Sequence, residues 1–289
     1  WFWLLLFFAV PFFILLRISV TDMGEGLNPF APLVTNDNVE LSLHQKLSNY
    51  VSLLHDSDTG WLQTLYTESY VLSLKYALLT TLLCLFFGYP FAYFLARSRP
   101  SIRPMLLLMV MLPFWTSFLL RIYAWKILLA DSGVFNQMLL ALGVIAEPIK
   151  MMNTPFSLIL GMVYCYIPFM ILPLYATLVK MDLSLLEAAL DLGATPAQAF
   201  WRITVPLSKS GIIAGSMLVF IPCVGEFVIP ELLGGPQTLM IGRVLWDEFF
   251  GNNDWPMAAA VAVVMVLLII VPLAFFNKHQ AENNAQARA

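Results

Sequence analysis

Long apolar runs alternate with shorter polar stretches along the chain, and the lengths of those runs predict membrane-spanning helices. Residues 1–20 are apolar almost throughout until Arg17. A polar stretch over residues 21–67 follows, with Asp22, Glu25, Asp37, Glu40, Asp56 and Asp58 against Lys46 alone. Further spans are predicted over about 70–96, 105–129, 155–179, 209–230 and 256–276, and the tail is short and polar. Gly88 and Pro90 interrupt the second span, Pro113 kinks the third, and Pro168 and Pro173 fall in the fourth. Pro222, Gly225 and Pro230 punctuate the fifth. Backbone groups freed inside a bilayer are tolerated only where neighbouring helices or a water-filled cavity satisfy them. Each proline alone reads as a packing kink; together they favour a bundle around a pathway. Gly211 and Gly215 form a GxxxG spacing that permits close helix contact. The predicted fold is an all-α membrane protein of six transmembrane helices in one domain.

The first run has neither the basic flank nor the small-residue cleavage site of a signal peptide, so it reads as a span. The chain begins at Trp1 rather than at a methionine, and a native N-terminal tail is expected before it.

One segment departs from the apolar pattern. Residues 181–207, and Leu185 to Pro206 within them, are charged and rich in turn residues, and read as two short helices. Ser184 and Glu187 have capping-box spacing, in which each side chain satisfies an amide at the helix start. Gly193 is the expected left-handed stop. Thr195 caps the second helix with Pro196 at its first position, and Pro206 is expected to end it.

Composition sharpens this picture. The chain has 289 residues, 60% hydrophobic and 11% charged, with a mean hydropathy of +0.80. Soluble domains carry about 25% charge, which excludes that class. The net charge of −3 comes with no basic cluster, so no nucleic-acid partner is expected. Cys84, Cys165 and Cys223 lie in apolar runs and read as reduced packing residues, while His44, His55 and His279 are scattered. No metal-binding spacing, nucleophile–base set or phosphate loop is present, so the chain reads as no enzyme and binds no metal.

Basic residues set the orientation. Arg97, Arg99, Arg103, Lys180, Arg202 and Lys209, with Lys278 and Arg288 in the tail, share one set of loops. Only Lys46, Lys150 and Arg243 lie in the other. The first set, including the 181–207 loop and both termini, is expected to face the cytoplasm, and 21–67 the periplasm. Inside the spans, Lys75, Arg121, Lys126 and Glu226 are the ionisable candidates. Glu226 lies roughly 26 Å along its span from Lys209 at 1.5 Å per residue, and Arg121 reaches a similar depth. Two readings stay open: a structural Glu226–Arg121 ion pair, or a carboxylate facing a pathway for a cation. Trp115, Tyr164 and Tyr166 near mid-depth suit the second by cation–π contact, although each alone reads as a packing residue before a site.

The residues Glu187, Ala188, Ala189, Gly193, Ile203, Val205 and Pro206 carry a resemblance. Their spacing resembles that in the membrane permeases of binding-protein-dependent ABC importers. The stretches Leu112–Trp125, Tyr164–Leu178 and Gly225–Pro256 look like the putrescine/spermidine importer permeases. The resemblance covers the chain from the second span onward. It implies a type I ABC importer permease fold in the bacterial inner membrane, with a cytoplasmic coupling helix docking into the ATPase at those seven residues. It further implies a second homologous permease, two copies of an ABC ATPase and a periplasmic polyamine-binding protein. ATP and Mg would be bound by the ATPase, leaving no cofactor in this chain. The competing expectations are an importer permease for sulfate, iron, thiamine or sugar, a non-transporting membrane scaffold, and a membrane enzyme.

Overall fold

The computed structural model describes residues 2–24, 28–31, 47–56 and 60–286. Glu25, Asp37, Glu40, His44, Lys46, Asp58 and Arg288, all used in the sequence reading, lie outside the described residues. The described residues are helical almost throughout. Their one sheet is a two-stranded antiparallel ladder, His55–Asp56 against Gly60–Trp61.

Two helices are continuous and apolar enough to cross a membrane, Leu65–Arg97 and Pro155–Leu178. Two more candidate spans are bent pairs. Arg103–Trp115 meets Phe118–Leu128 at 85°, and Pro196–Leu207 meets Lys209–Val224 at 64°. Leu5–Ser19 and Trp255–Ile270 are shorter apolar helices. The described helices therefore give two continuous spans, or up to four when each bent pair counts as one.

Two predicted spans are broken rather than kinked. In the third, the chain tightens into a 3-10 turn over Leu112–Trp115 and then extends at Thr116 before the Phe118–Leu128 helix begins. Pro113 has no N–H to continue an α-helical ladder, and the Thr116 hydroxyl donates to its carbonyl at 2.7 Å. The fifth span stops at Val224, and a separate helix restarts at Val228. The last helix runs longer than predicted, Trp255–Gln286.

The chain forms two compact units. Unit 1 comprises Trp1–Leu74, Gly225–Val228 and Leu239–Ala289. Its apolar centre is Leu53, Tyr70, Ile241, Val244, Ala260 and Val261. Buried polar groups there are paired, as the low dielectric requires. The Tyr70 hydroxyl donates to the Val261 carbonyl at 2.7 Å, and the Ile241 amide donates to Ser73 Oγ at 2.7 Å. Asn49 Nδ2 donates to the carbonyls of Ser19 and Thr21, which anchors the end of the first apolar helix.

Unit 2 comprises Lys75–Val224 and Ile229–Thr238. Its frame is the packing of Lys209–Val224 on Pro155–Leu178. Small residues make the close approach possible: a Cβ at Gly211 would stand 2.6 Å from Thr177 Oγ1 and 2.9 Å from the Pro173 carbonyl oxygen. A Cβ at Gly215 would stand 2.8 Å from Met170 Sδ. The expected GxxxG contact is therefore present. Gly88, on the Leu65–Arg97 helix, likewise faces Met170. Leu158, Met162, Met170, Leu174 and Val219 are fully buried in this unit.

Candidate functional site

The 181–207 segment is built from local signals. Ser184–Asp191 forms its first helix, and Gly193 follows at φ +86°, a conformation costly for residues with a Cβ. Thr195 caps the second helix as predicted. Its hydroxyl accepts from the Gln198 amide at 3.3 Å, while Gln198 Oε1 accepts from the Thr195 amide at 3.0 Å. Pro196 holds the first helical position.

Two local predictions fail here. Ser184 is no cap: it lies inside the helix, and its amide donates instead to the Asp182 carboxylate at 3.0 Å. The Asp182 side chain takes the Ser184 amide that Glu187 would have accepted in the expected box, and the Glu187 amide donates to the Leu183 carbonyl at 3.1 Å rather than to the Ser184 hydroxyl. Nor does Pro206 end its helix. A π-turn over Phe200–Thr204 opens the ladder first, so the proline falls in the next short turn, Val205–Leu207, and the break comes at Ser208.

Glu187, Ala188, Gly193 and Pro206 are exposed, while Ala189 and Ile203 are half-buried. Around them stand Leu183, Leu185, Leu190, Trp201 and Leu192, all exposed, with Leu192 at 89%. Several large apolar side chains exposed on one short segment are the pattern of a surface that meets a partner.

The intramembrane candidates fall in different units. In unit 1, Glu226 is only 9% exposed, and its Oε1 accepts the Val228 amide at 3.1 Å, at the start of the Val228–Leu233 helix. A Cβ at Gly242 would come within 2.7 Å of the Glu226 carbonyl oxygen, so Gly242 packs directly on this break. In unit 2, Arg121 lies with its guanidinium 5.1 Å from the Phe114 ring and 5.8 Å from the Phe118 ring. Its Nε and Nη1 are buried without a hydrogen-bond partner among the described residues. Thr116, Arg121, Trp125 and Tyr164 help line one cavity of about 340 Å³, with Trp125 edge-on to Tyr164 at 5.4 Å. Tyr166 is buried beside Phe169, and Trp115 is 75% exposed and outside that cavity's lining. Of the predicted aromatic and cationic residues, the structure thus groups Arg121 with Tyr164 around the cavity.

Sequence reasoning missed two polar sets. In unit 1, Tyr66 Oη donates to Glu248 Oε1 at 2.7 Å and Asn252 Nδ2 donates to Oε2 at 2.8 Å. In unit 2, Tyr89 reaches Ser208 across the end of the bundle at 2.8 Å. The spacing Tyr89, Tyr93, Arg97 was a visible signal, since residues four apart share a helix face.

Bent apolar helices, small-residue helix contacts and an exposed two-helix loop describe a helical membrane protein. Comparison with known proteins makes the class specific: the chain belongs to the family described as "Binding-protein-dependent transport system inner membrane component", matched over residues 85–280. The chain is 40% identical over 273 residues to the "Spermidine/putrescine transport system permease protein PotB" of Haemophilus influenzae, covering 93% of this chain and 88% of that one. It is 47% identical over 214 residues to the protein of the same name from Escherichia coli, covering 74% and 78%. In fold it matches a chain of the bacterial alginate ABC transporter solved in complex with an alginate pentasaccharide-bound periplasmic protein. That match has a TM-score of 0.61 and 19% identity, and covers 95% of this chain and 88% of that one.

Proposed function

We propose that this chain is one permease subunit of an ATP-driven polyamine importer, for putrescine, spermidine or both. In this reading the 181–207 segment docks on the ATPase through Glu187, Ala188, Ala189 and Gly193. Ile203 and Pro206 belong to the same coupling set. The observation that carries the docking reading is the exposure of Leu185, Leu190, Leu192 and Trp201 in one short segment with small alanines and a left-handed turn. Burying a leucine of that size contributes about 1.5–3 kcal/mol, so a few such residues suffice to hold a partner. The names of the 40% and 47% identical relatives support the polyamine reading.

The remaining parts follow from that role. A second homologous permease completes the pathway, two ATPase copies bind ATP and Mg, and a periplasmic polyamine-binding protein delivers the solute. Both termini and the docking loop face the cytoplasm in this arrangement. Glu226 offsets the desolvation of an ammonium group on its way through the membrane, and Trp115, Tyr164 and Tyr166 are separate aromatic candidates for cation–π contact along the pathway. Glu226 also has a structural reading, favoured by its hydrogen bond from the Val228 amide.

Uptake of labelled spermidine by the complete importer in proteoliposomes tests the substrate class. Unlabelled putrescine should compete and sulfate should not. Competition by sulfate alone would replace the polyamine reading with that of an oxyanion importer.

A further inference from the structure

A docking surface drives transport only if its motion reaches the membrane helices. The Ser184–Asp191 helix has no buried residue of its own, so it transmits little by itself. The first side chains of this segment to enter the bundle are those of Ala199 and Phe200, just ahead of the buried Thr204. The Phe200 ring stands edge-on to Tyr89 at 5.6 Å and to Tyr93 at 5.8 Å. Tyr89, Tyr93 and Arg97 form one stripe at the end of the Leu65–Arg97 helix. The Arg97 guanidinium lies 5.2 Å from the Tyr93 ring and extends the stripe.

The same helix also grips the far end of the segment. Tyr89 Oη and Ser208 Oγ are 2.8 Å apart, and both residues are buried. Ser208 spends its single hydroxyl hydrogen on the Val205 carbonyl at 3.0 Å, so Tyr89 is the donor. Ser208 lies at the break between Pro196–Leu207 and Lys209–Val224, where the chain bends by 64°. The loop is thus held by this helix at its π-turn and again at its bend. Arg97 Nη2 and Thr204 Oγ1 are buried without hydrogen-bond partners among the described residues. Ring contacts and one buried hydrogen bond therefore hold the clasp despite a polar cost.

We propose that Phe200 is a positioning residue that clasps the docking loop to the Leu65–Arg97 helix, so that loop and helix move as one body during transport. The proposal rests on the ATPase-docking reading of the loop. The geometry supplies what such a device needs: edge-on rings on two successive turns of one helix, and a hydrogen bond at the hinge that stops the loop from swinging alone.

The test uses the complete importer in proteoliposomes with spermidine as the probe. Phe200→Leu keeps the apolar volume and removes the ring contacts. It should retain the ATPase on purification and continue to hydrolyse ATP. Its uptake per ATP hydrolysed should fall about five-fold or more, as loss of an inter-site coupling does. Tyr89→Phe, which keeps the ring and loses only the hydrogen bond, should lower the same ratio by less. In a background lacking Cys84, Cys165 and Cys223, the Tyr93→Cys/Phe200→Cys pair should be uncoupled when reduced. A short thiol cross-linker should restore its coupling. An unchanged ratio in both Phe200→Leu and Tyr89→Phe would overturn the proposal, as would failure of the cross-link to restore uptake. Loss of the ATPase from Phe200→Leu would also overturn it, because the residue would then serve docking. Failure of the docking reading itself appears elsewhere, as a Glu187→Lys variant that keeps both its ATPase and its uptake.

Discussion

Gly211→Ala adds one methyl group at a close helix–helix contact of unit 2. The new Cβ would stand 2.6 Å from Thr177 Oγ1, 2.9 Å from Thr177 Cβ and 2.9 Å from the Pro173 carbonyl oxygen. Two of those atoms belong to, or are fixed directly on, the backbone of a packed helix and cannot swing aside. The hydroxyl is no freer, because it donates to the Pro173 carbonyl at 3.0 Å. The helices must therefore separate, an overpacking change that costs about 1–3 kcal/mol. Gly215→Ala meets the flexible Met170 thioether at 2.8 Å and the Met170 carbonyl oxygen at 3.1 Å, so it should cost less. Gly225→Ala meets only Met265 side-chain atoms at 3.6 and 3.7 Å and serves as the mild control. Thermal unfolding in detergent reads the series. At roughly 2–4 °C per kcal/mol, Gly211→Ala should lower the midpoint by about 2–12 °C, with Gly215→Ala between it and Gly225→Ala. A Gly211→Ala protein as stable as the parent, or an inverted order, would refute the close-packing argument.

Other consequences concern orientation and pathway. Single cysteines at Ser101 and Ser132, both exposed, should label with a membrane-impermeant thiol reagent from opposite sides of the membrane; labelling of both from outside would overturn the orientation. Glu226→Gln keeps an oxygen for the Val228 amide while removing the charge, so it should preserve stability and cut spermidine uptake. Trp115→Leu should cut uptake by less, since one cation–π contact is worth about 0.5–2 kcal/mol. Loss of stability without a specific loss of uptake in Glu226→Gln would assign that carboxylate to structure.

What was legible in the sequence was mostly local. Thr195 and Gln198 announce their capping box because both partners lie within one turn, and Gly193 announces its turn because few residues adopt positive φ. The GxxxG of Gly211 and Gly215 was legible because a missing side chain on one face has few other uses in a membrane helix. Errors arose where local signals compete: Asp182 takes the Ser184 amide in place of Glu187, and the π-turn at Phe200–Thr204 moves the expected stop beyond Pro206. The breaks after Trp115 and Val224 were read as kinks, since a proline in the sequence does not say whether the helix continues beyond it. Contacts such as Tyr89 with Ser208 and Tyr66 with Glu248 join residues 119 and 182 positions apart, and no local pattern pairs them.

The central claim, that the 181–207 segment is the ATPase-docking surface, is tested most directly by Leu192→Asp. This side chain is 89% exposed and its replacement disturbs no packing within the chain, so stability should stay within about 0.5 kcal/mol of the parent. The measurement is the amount of ATPase subunit that co-purifies with the variant permease, with spermidine uptake recorded on the same preparation. The account predicts a stable, membrane-inserted protein that loses the ATPase and with it ATP-driven uptake. Parental levels of both would contradict it.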